Sequence, residues 1–288
     1  MEDRSLQVEK MTGSLGAEMR GVDLSKPLSN ASAADIRQAL VDHLVIFFRD
    51  QKLTPEQHLE FSRLFGPLQR VPYVRPMEGY PDIIAVLKEA DEKKISTFGN
   101  AWHSDFSFLE EPPMASILYG IVIPSHGGDT LWINMYEAYE ALSDGMKRML
   151  RGLRAMHNGR PYGMGGVPKD LRISRSIGIE RNNLEADREI AHPVVRLHPE
   201  SGRKALFVNS IYTGRFEDMS EAESRPLLDY LYRHCLRPEF SCRFRWQPGS
   251  LAVWDNRCTM HYAVNDYDGS RRLLHRTQVQ GEKPISAD

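Results

Sequence analysis

The chain has 288 residues, of which 41% are apolar and 26% are charged, and its formal net charge is −2. This composition is that of a globular protein long enough to bury a large core. A nearly neutral chain offers no basic field for a nucleic-acid backbone or an anionic membrane, and no apolar run approaches the length of a membrane span. We therefore expect neither a nucleic acid nor a membrane as a partner.

The cysteine content indicates a reducing compartment. Cys235, Cys242 and Cys258 are odd in number and lack the spacing of a disulfide scaffold. The polar start of the chain, residues 1–4, is not followed by the apolar core of a signal peptide. The expected location is the cytoplasm.

The first part of the chain predicts short strands and two well-marked helices. Residues 6–24 indicate two short strands, and residues 31–42 indicate a helix. The continuous apolar run 44–48 is typical of a strand buried on both faces. Thr54 and Gln57 form a capping box that begins the next helix, which stops at Gly66-Pro67.

Two segments are predicted to be mobile. Residues 88–100 include a run of charged side chains, which we interpret as a solvated loop that is either a cover for a site or an ordinary surface loop. Residues 157–190 are polar and rich in glycine, without a sustained hydrophobic period. Segments of this length inside a compact domain are usually functional or disordered, so we expect a second mobile cover.

A His-x-Asp pair is the first candidate for chemistry. Residues 102–106 predict a strand, in which His103 and Asp105 point to the same face. An imidazole and a carboxylate on one face are two thirds of the facial triad that non-haem Fe(II) oxygenases use. Alone the pair is weak, since a histidine near an aspartate is more often a surface hydrogen-bonded pair.

The rest of the chain predicts many short strands with few helices. In chain order the remaining elements are strands at 115–119 and 121–123, a glycine turn at 127–128, helices at 135–142 and 143–152, a hairpin from 192–197 and 205–208, a capped helix from Ser220 and Glu223, and strands at 240–246, 251–254 and 271–279. No regular alternation of strand and helix is present. This pattern favours a mainly β fold with helices, as a barrel or a sandwich.

A second informative stretch is 254–263, which contains His261. His261 completes a triad with His103 and Asp105 if the two segments meet as neighbouring strands. Cys258 and His261 form half of an alternative zinc knuckle, but no matching pair lies at suitable spacing. Cys258 otherwise reads as a small buried residue.

Two arginines, Arg272 and Arg276, stand four positions apart on the last strand. They share a face of a regular strand, with Cα atoms about 13 Å apart. Arginine binds carboxylates and sulfonates through a planar pair of donors. The alternative is that both are exposed arginines of an edge strand.

Taken together, these motifs resemble the taurine dioxygenase/dichlorophenoxyacetate dioxygenase family of Fe(II)- and 2-oxoglutarate-dependent oxygenases. The matching motifs are Trp102-His103-Ser104-Asp105, Gly127-Gly128-Asp129-Thr130-Leu131-Trp132, His192-Pro193-Val194-Val195-Arg196, Trp254-Asp255-Asn256-Arg257 with His261, and Arg271-Arg272 through His275-Arg276. The resemblance implies a double-stranded β-helix, or cupin-like jelly roll. We expect residues 1–288 to form a single catalytic domain.

The resemblance also implies roles for individual residues. His103, Asp105 and His261 resemble the Fe(II) ligands. Thr130 and Arg272 resemble the pair that holds the distal carboxylate of 2-oxoglutarate. Arg276 resembles the arginine that binds an anionic group of the substrate. Trp254 resembles the aromatic residue near the metal.

The implied reaction uses dioxygen to hydroxylate a small anionic substrate and converts 2-oxoglutarate to succinate and carbon dioxide. Where the hydroxylated carbon bears oxygen or sulfur, the product can collapse with cleavage of that C–O or C–S bond. The family also implies a homodimer or a homotetramer.

The substrate is expected to be an anion other than taurine. Taurine-using relatives place a polar His and Tyr after the Gly66-Pro67 turn, where this chain has Val71 and Val74, with Tyr73 between them. Valine cannot pair with the polar groups of a small zwitterion, which would then be buried at a cost. A carboxylate, sulfonate or sulfate on a larger alkyl or aryl body suits these residues better.

Three other functions compete with the oxygenase. A zinc hydrolase can use the same three ligands, but it leaves Thr130, Arg272 and Arg276 without a role. A jelly-roll binding protein without catalysis does not require an intact triad. A nucleic-acid demethylase requires a basic stripe with interleaved aromatic residues, which is not evident.

Overall fold

The computed structural model describes residues 6–165 and 175–287. The α-helices of these residues are α1 (Asn30–His43), α2 (Pro55–Arg63), α3 (Met135–Glu140), α4 (Asp144–Leu150) and α5 (Glu221–Cys235). The strands are β1 (Gln7–Lys10), β2 (Ala17–Arg20), β3 (Val45–Phe48), β4 (Ile84–Lys88), β5 (Ala115–Val122), β6 (Thr130–Asn134), β7 (Arg154–His157), β8 (Ile190–Pro193), β9 (Val195–Leu197), β10 (Lys204–Leu206), β11 (Thr213–Phe216), β12 (Ser241–Phe244), β13 (Leu251–Asp255), β14 (Thr259–Ala263), β15 (Arg272–Val279) and β16 (Ile285–Ser286). Within the described ranges, no helix is both long and apolar enough to cross a membrane.

The capping boxes predicted from the sequence are both formed. Thr54 accepts a hydrogen bond from the backbone of Gln57, whose side chain accepts one from the backbone of Thr54 in return. Ser220 and Glu223 make the same exchange at the start of α5. Each box satisfies backbone donors that the first helical turn leaves without partners.

The strands form one large sheet and three small ones. The large sheet has the order β1-β2-β3-β13-β5-β15-β4, and the small sheets have the orders β10-β9-β16, β11-β7-β8 and β12-β6-β14. Among the described strands, only β2 and β3 pair in parallel. The hairpin predicted near residue 200 is formed by β9 and β10. β5 is one continuous strand where the sequence predicted two.

The large sheet is covered on both faces, as the apolar run of β3 predicted. Phe47 stacks on Phe244 of β12 at 4.1 Å between ring centroids and meets Trp132 of β6 at 5.3 Å. Ile46 and Phe48 belong to a second buried cluster that includes residues of α1 and α2. The large sheet faces the small sheet β12-β6-β14, and Trp254 of β13 contacts Trp132 of β6 between them. These two sheets form the predicted double-stranded β-helix, with α1 and α2 packed on the other face of the large sheet.

The segment 88–100 is less solvated than its charge predicted. Lys88 ends β4 with 2% of its surface exposed and donates to Asn265 Oδ1 at 2.8 Å. Glu92 is also buried, and its carboxylate accepts from the backbone and hydroxyl of Ser176. The solvated interpretation is therefore wrong for these two residues, because each has polar partners inside the fold. The predicted mobility of 88–100 and 157–190 stays a prediction, and residues 166–174 lie outside the described residues.

Candidate active site

Two histidines from distant parts of the chain meet through a backbone bridge. The amide of His103 donates to the carbonyl of His261 at 3.1 Å, and the amide of His261 donates to the carbonyl of His103 at 2.8 Å. Their imidazole centroids are 4.2 Å apart. His261 lies on β14, which pairs with β6. The predicted meeting of these two segments is therefore present, as an isolated bridge.

Asp105 reaches the two imidazoles through a turn. Residues 102–106 were predicted as a strand. This prediction is wrong, because His103 makes only an isolated bridge with His261 and a turn begins at Asp105. The chain turns at Asp105, and Phe106 has a φ of 45°, which a regular strand does not allow. The turn brings Asp105 Oδ1 to 3.6 Å from His103 Nε2 and 3.9 Å from His261 Nε2.

The three side chains suit a divalent metal ion. Their ligand atoms all lie within 4.8 Å of one another and all three residues are buried. The carboxylate and imidazole atoms are too far apart to be hydrogen-bonded to each other. The three side chains would supply two imidazole nitrogens and one carboxylate oxygen to such an ion. Two imidazoles and one carboxylate on one face are the ligand set of the non-haem Fe(II) oxygenases.

The charge state of the triad also suits a metal. Burial alone would raise the pKa of Asp105, but Arg276 and the two imidazoles outweigh it and hold that pKa well below its usual range. Burial and the neighbouring His103 lower the pKa of His261 to about 3. Near pH 7 the site therefore presents a carboxylate and a neutral imidazole from His261. His103 Nδ1 lies 2.7 Å from the carbonyl of Ala101, which leaves Nε2 available as a ligand.

One narrow cavity contains the triad histidines and the residues predicted to bind organic acids. Its lining comprises Val86, Phe98, Gly99, His103, Leu118, Thr130, Trp254, His261, Ala263, Arg272 and Arg276. Thr130, Trp254, Arg272 and Arg276 were all identified from the sequence. The structure brings them together because β6, β13 and β15 all present residues to this interior.

Arg272 is held beside a glycine that leaves room for it. Its Nη2 donates to the carbonyl of Gly128 at 2.9 Å, while Nε has no hydrogen-bond partner among the described residues. A Cβ atom on Gly128 would lie 2.9 Å from Arg272 Nε, and the φ of Gly128 is 71°. Thr130 accepts a hydrogen bond from Trp246 at 2.9 Å, so its own hydroxyl proton is free to be donated. A buried arginine and a free hydroxyl are suitable partners for a carboxylate.

Arg276 has one partner and two free donor atoms. Its Nη1 lies 3.1 Å from Asp105 Oδ1, and its guanidinium lies over the rings of Phe98 and Phe106 at 5.2 and 5.5 Å. Nε and Nη2 are buried without partners within the described ranges. A buried cation with unused donors needs a hydrogen-bonding partner, and an anion supplies one.

The three residues predicted at the substrate pocket, Val71, Tyr73 and Val74, are buried but do not line this cavity. Tyr73 contacts the rings of Phe106 and Phe108, at centroid distances of 6.1 and 5.1 Å. It therefore connects to the site through Phe106, the ring that covers Arg276. Val74 forms a bridge with Ile179.

Sequence reasoning missed the aromatic residues around Arg276 and the triad. Phe106 and Phe108 follow Asp105 directly, and that adjacency was a usable signal. Tyr162 ends a short 3₁₀ helix and Tyr212 lies in a turn, and neither gave a local signal. Their hydroxyl oxygens are 3.5 Å apart, and the ring of Tyr212 is 6.2 Å from that of His103.

Among the described residues, Cys258 and His261 do not share a group of possible metal ligands, so the alternative zinc knuckle is not formed there. Cys258 instead groups with His198 and Asp255. The Asp255 carboxylate already has partners there: its Oδ2 lies 2.6 Å from Arg257 Nη2 and 3.1 Å from His198 Nε2. Burial raises the pKa of Cys258 well above its usual value, so its thiol stays protonated. A protonated thiol is a poor metal ligand. This agrees with the other prediction made for Cys258, that it is a small buried residue.

Comparison with known proteins agrees with this geometry. The family described as "Taurine catabolism dioxygenase TauD, TfdA family" matches residues 7–278. The chain belongs to this family. It is an Fe(II)- and 2-oxoglutarate-dependent dioxygenase with the jelly-roll fold, as the sequence motifs predicted.

Similar sequences include several named dioxygenases. An alkylsulfatase of Acinetobacter baylyi is 36% identical over 285 residues, covering 99% of this chain and 88% of the relative. An alpha-ketoglutarate-dependent sulfate ester dioxygenase of Pseudomonas putida is 36% identical over 98% of this chain and 92% of its own length. An alpha-ketoglutarate-dependent 2,4-dichlorophenoxyacetate dioxygenase of Cupriavidus pinatubonensis is 32% identical over 90% of this chain and 92% of its own.

Solved structures show the same fold. A taurine dioxygenase from Burkholderia xenovorans superimposes with a TM-score of 0.82 at 36% identity, covering 98% of this chain and 93% of that protein. AAD-2 in complex with Mn(II) and N-oxalylglycine superimposes with a TM-score of 0.77 at 30% identity, covering 97% and 99% of the two chains.

Proposed function

We propose that this dioxygenase binds Fe(II) through His103, Asp105 and His261 and hydroxylates an anionic organic substrate other than taurine. The observation that carries the proposal is the convergence of one carboxylate and two imidazoles, with both imidazoles on the wall of a cavity that also contains two arginines with unused donors. A zinc hydrolase needs the metal ligands alone. The unused donors of both arginines have partners only if two organic anions bind beside the metal.

Arg272 and Thr130 hold the distal carboxylate of 2-oxoglutarate in this proposal. The free Nε of Arg272 and the hydroxyl of Thr130 support it, since both are buried donors on the wall of the cavity. Bound Fe(II) and 2-oxoglutarate supply the activation of dioxygen, with succinate and carbon dioxide as coproducts. Trp254 supports this arrangement by packing at 4.8 Å from the ring of His261 and excluding water from that side.

Arg276 binds the anionic group of the substrate. Its Nη1 is engaged by Asp105, so the anion uses Nε and Nη2, which form one edge of the planar guanidinium. The rings of Phe98 and Phe106 keep that plane in place. Arg276 lines the same cavity as His103 and His261, so an anion on this edge has its neighbouring carbon atoms in the space that the two triad histidines line.

The substrate body is a larger alkyl or aryl group. The lining of the cavity includes the apolar side chains of Val86, Phe98 and Leu118, and Tyr73 packs against Phe106, whose ring lies beside Arg276. Alkyl sulfates and aryloxyalkanoates suit such an apolar lining. The names of the similar sulfate ester and dichlorophenoxyacetate dioxygenases support the same classes. Hydroxylation of a carbon that bears a sulfate or ether oxygen, or sulfur, gives a product that collapses with cleavage of that C–O or C–S bond.

A substrate panel tests this proposal. A long-chain alkyl sulfate, an aryloxypropionate and taurine are compared at equal concentration with Fe(II) and 2-oxoglutarate, and succinate release above the substrate-free rate is measured. We expect one of the larger anions to give the fastest release. Fastest release with taurine would overturn the proposed pocket, and no release with any anion would remove the role of Arg276.

We also propose that residues 1–288 act as a single catalytic domain and that the protein is a cytoplasmic homodimer or homotetramer. The family resemblance supports the assembly, and the three buried free cysteines support a reducing compartment. Light scattering of the purified protein measures the assembly directly, and a monomeric mass would contradict it.

A further inference from the structure

The two carboxylate oxygens of Asp105 have different partners. Oδ1 faces the imidazoles of His103 and His261 and also contacts Arg276. Oδ2 faces the opposite way and accepts a hydrogen bond from Ser116 Oγ at 2.7 Å. Asp105 and Ser116 are 2% and 0% exposed, so no solvent competes for this bond.

A chain of fixed donors determines where the Ser116 proton points. The indole nitrogen of Trp254 only donates, and it donates to Asn256 Oδ1 at 2.8 Å. The amide nitrogen of Asn256 therefore faces Ser116 Oγ, at 3.0 Å. Because Ser116 Oγ accepts from this amide, its single proton is given to Asp105.

The strand register places these groups side by side. Ser116 of β5 pairs with Trp254 of β13 on one side and with Gln278 of β15 on the other. Gln278 Nε2 adds a second, longer contact to Ser116 Oγ at 3.4 Å. The backbone amide of Asp105 also donates to Asn256 Oδ1, at 3.4 Å. Asn256 is therefore hydrogen-bonded to both Asp105 and Ser116.

From this arrangement we infer that Ser116 is a positioning residue for the metal centre. By engaging Oδ2, it leaves Oδ1 as the single oxygen of Asp105 that faces the metal and keeps the remaining coordination positions open. The inference rests on the proposed function, because it needs Asp105 to be a metal ligand. Hydrogen-bond partners of metal ligands typically change metal affinity by about 10- to 100-fold when they are removed.

The test is the affinity of the metal-free, full-length protein for Mn(II), measured by calorimetric titration without 2-oxoglutarate. Ser116→Ala removes the hydroxyl. Ser62→Ala is the matched control, because Ser62 is also 0% exposed and its hydroxyl bonds to the carbonyl of His58 at 2.7 Å and to Thr277 at 2.6 Å, away from the triad. The unfolding free energy of each variant is measured alongside.

We expect Ser116→Ala to raise the Kd for Mn(II) by about 10- to 100-fold. Ser62→Ala should leave that Kd within about threefold of wild type, although both variants lose a buried hydrogen bond. Ser116→Cys replaces the hydroxyl with a thiol, which can still donate but is a weaker donor. The Kd of this variant for Mn(II) should therefore lie between those of wild type and Ser116→Ala. This second variant serves if Ser116→Ala does not fold.

An unchanged Kd in Ser116→Ala or in Ser116→Cys, or equal weakening in Ser62→Ala, would overturn the inference. The proposed function fails differently. If wild type binds no Mn(II), or if Asp105→Ala binds it as tightly as wild type, then the metal centre itself is wrong. If Asp105→Ala loses the ion while Ser116→Ala retains it fully, only the role of Ser116 is wrong.

Discussion

Arg272 and Arg276 share one strand face but have different surroundings. Arg272 is anchored on the carbonyl of Gly128, and Arg276 is anchored on Asp105 and two phenyl rings. Arg272 is left with Nε as its unused donor, and Arg276 is left with Nε and Nη2. This difference supports the proposal that one arginine binds 2-oxoglutarate and the other binds the substrate.

Removing each arginine should separate the two Michaelis constants. A charge-assisted bond is worth about 2 kcal/mol, which corresponds to roughly 30-fold in affinity. Arg272→Ala should raise KM for 2-oxoglutarate by about that factor and far more than KM for the substrate, and Arg276→Ala should do the reverse. Arg271→Ala is the control, since Arg271 is half exposed beside Glu89. The opposite ranking would mean that the two roles are exchanged.

At the scale of elements, the two predicted covers are connected to each other. The Glu92 carboxylate accepts from the amides of Glu89 and Arg175, at 2.9 and 2.5 Å. The segment after Arg175 also pairs with the predicted pocket residues, because the amide of Glu180 donates to the carbonyl of Tyr73 at 2.9 Å. Movement of one cover, if it occurs as predicted, would therefore be coupled to the other cover and to Tyr73.

Glu92→Ala should loosen this connection. Loss of a buried acceptor costs about 1–3 kcal/mol, so amide hydrogen exchange at Arg175 and Ser176 should become about 5- to 150-fold faster. Glu89→Ala is the control in the same loop, because its side chain reaches Arg271 and not the other cover. Equal acceleration in both variants would show that Glu92 does not hold the covers together.

The elements also show which features can be predicted from sequence. The capping boxes at Thr54 and Ser220 and the doubly buried strand β3 follow from local patterns, as does the shared face of the arginines. The turn after His103 has no such pattern, because Phe106 adopts its positive φ within the folded site. The contact between Ser116 and Asn256 depends on the register of β5 against β13, which is set by packing between distant segments.

At the scale of the whole molecule, buried histidines make stability depend on pH. Burial and the neighbouring His275 lower the pKa of His58 to about 3. Burial also lowers the pKa of His192, to about 4, and that of His157 well below 6.5. Below pH 6.5 the unfolded chain binds protons that the folded chain does not. These histidines therefore contribute fully to the free energy of unfolding above pH 6.5, and their contribution is lost as the pH falls towards 4.

Each histidine should contribute a slope of about 1.4 kcal/mol per pH unit near pH 5. Denaturant unfolding at pH 7.5, 6 and 5 measures this slope. His58→Leu keeps a similar volume and should lower the slope by about 1.4 kcal/mol per pH unit, which corresponds to one proton. A slope that is the same in His58→Leu and wild type would contradict the buried, neutral state of His58.

The triad should support oxygen-dependent chemistry and not hydrolysis. The most direct measurement follows dioxygen uptake and succinate release together, for the substrate that the panel selects, with Fe(II) or Zn(II) added to metal-free protein. We predict equal uptake and release with Fe(II), none with Zn(II), and a loss of at least about 1,000-fold in His103→Ala, Asp105→Ala or His261→Ala. Turnover with Zn(II) without dioxygen uptake, or near-wild-type activity in any one of the three variants, would contradict the account.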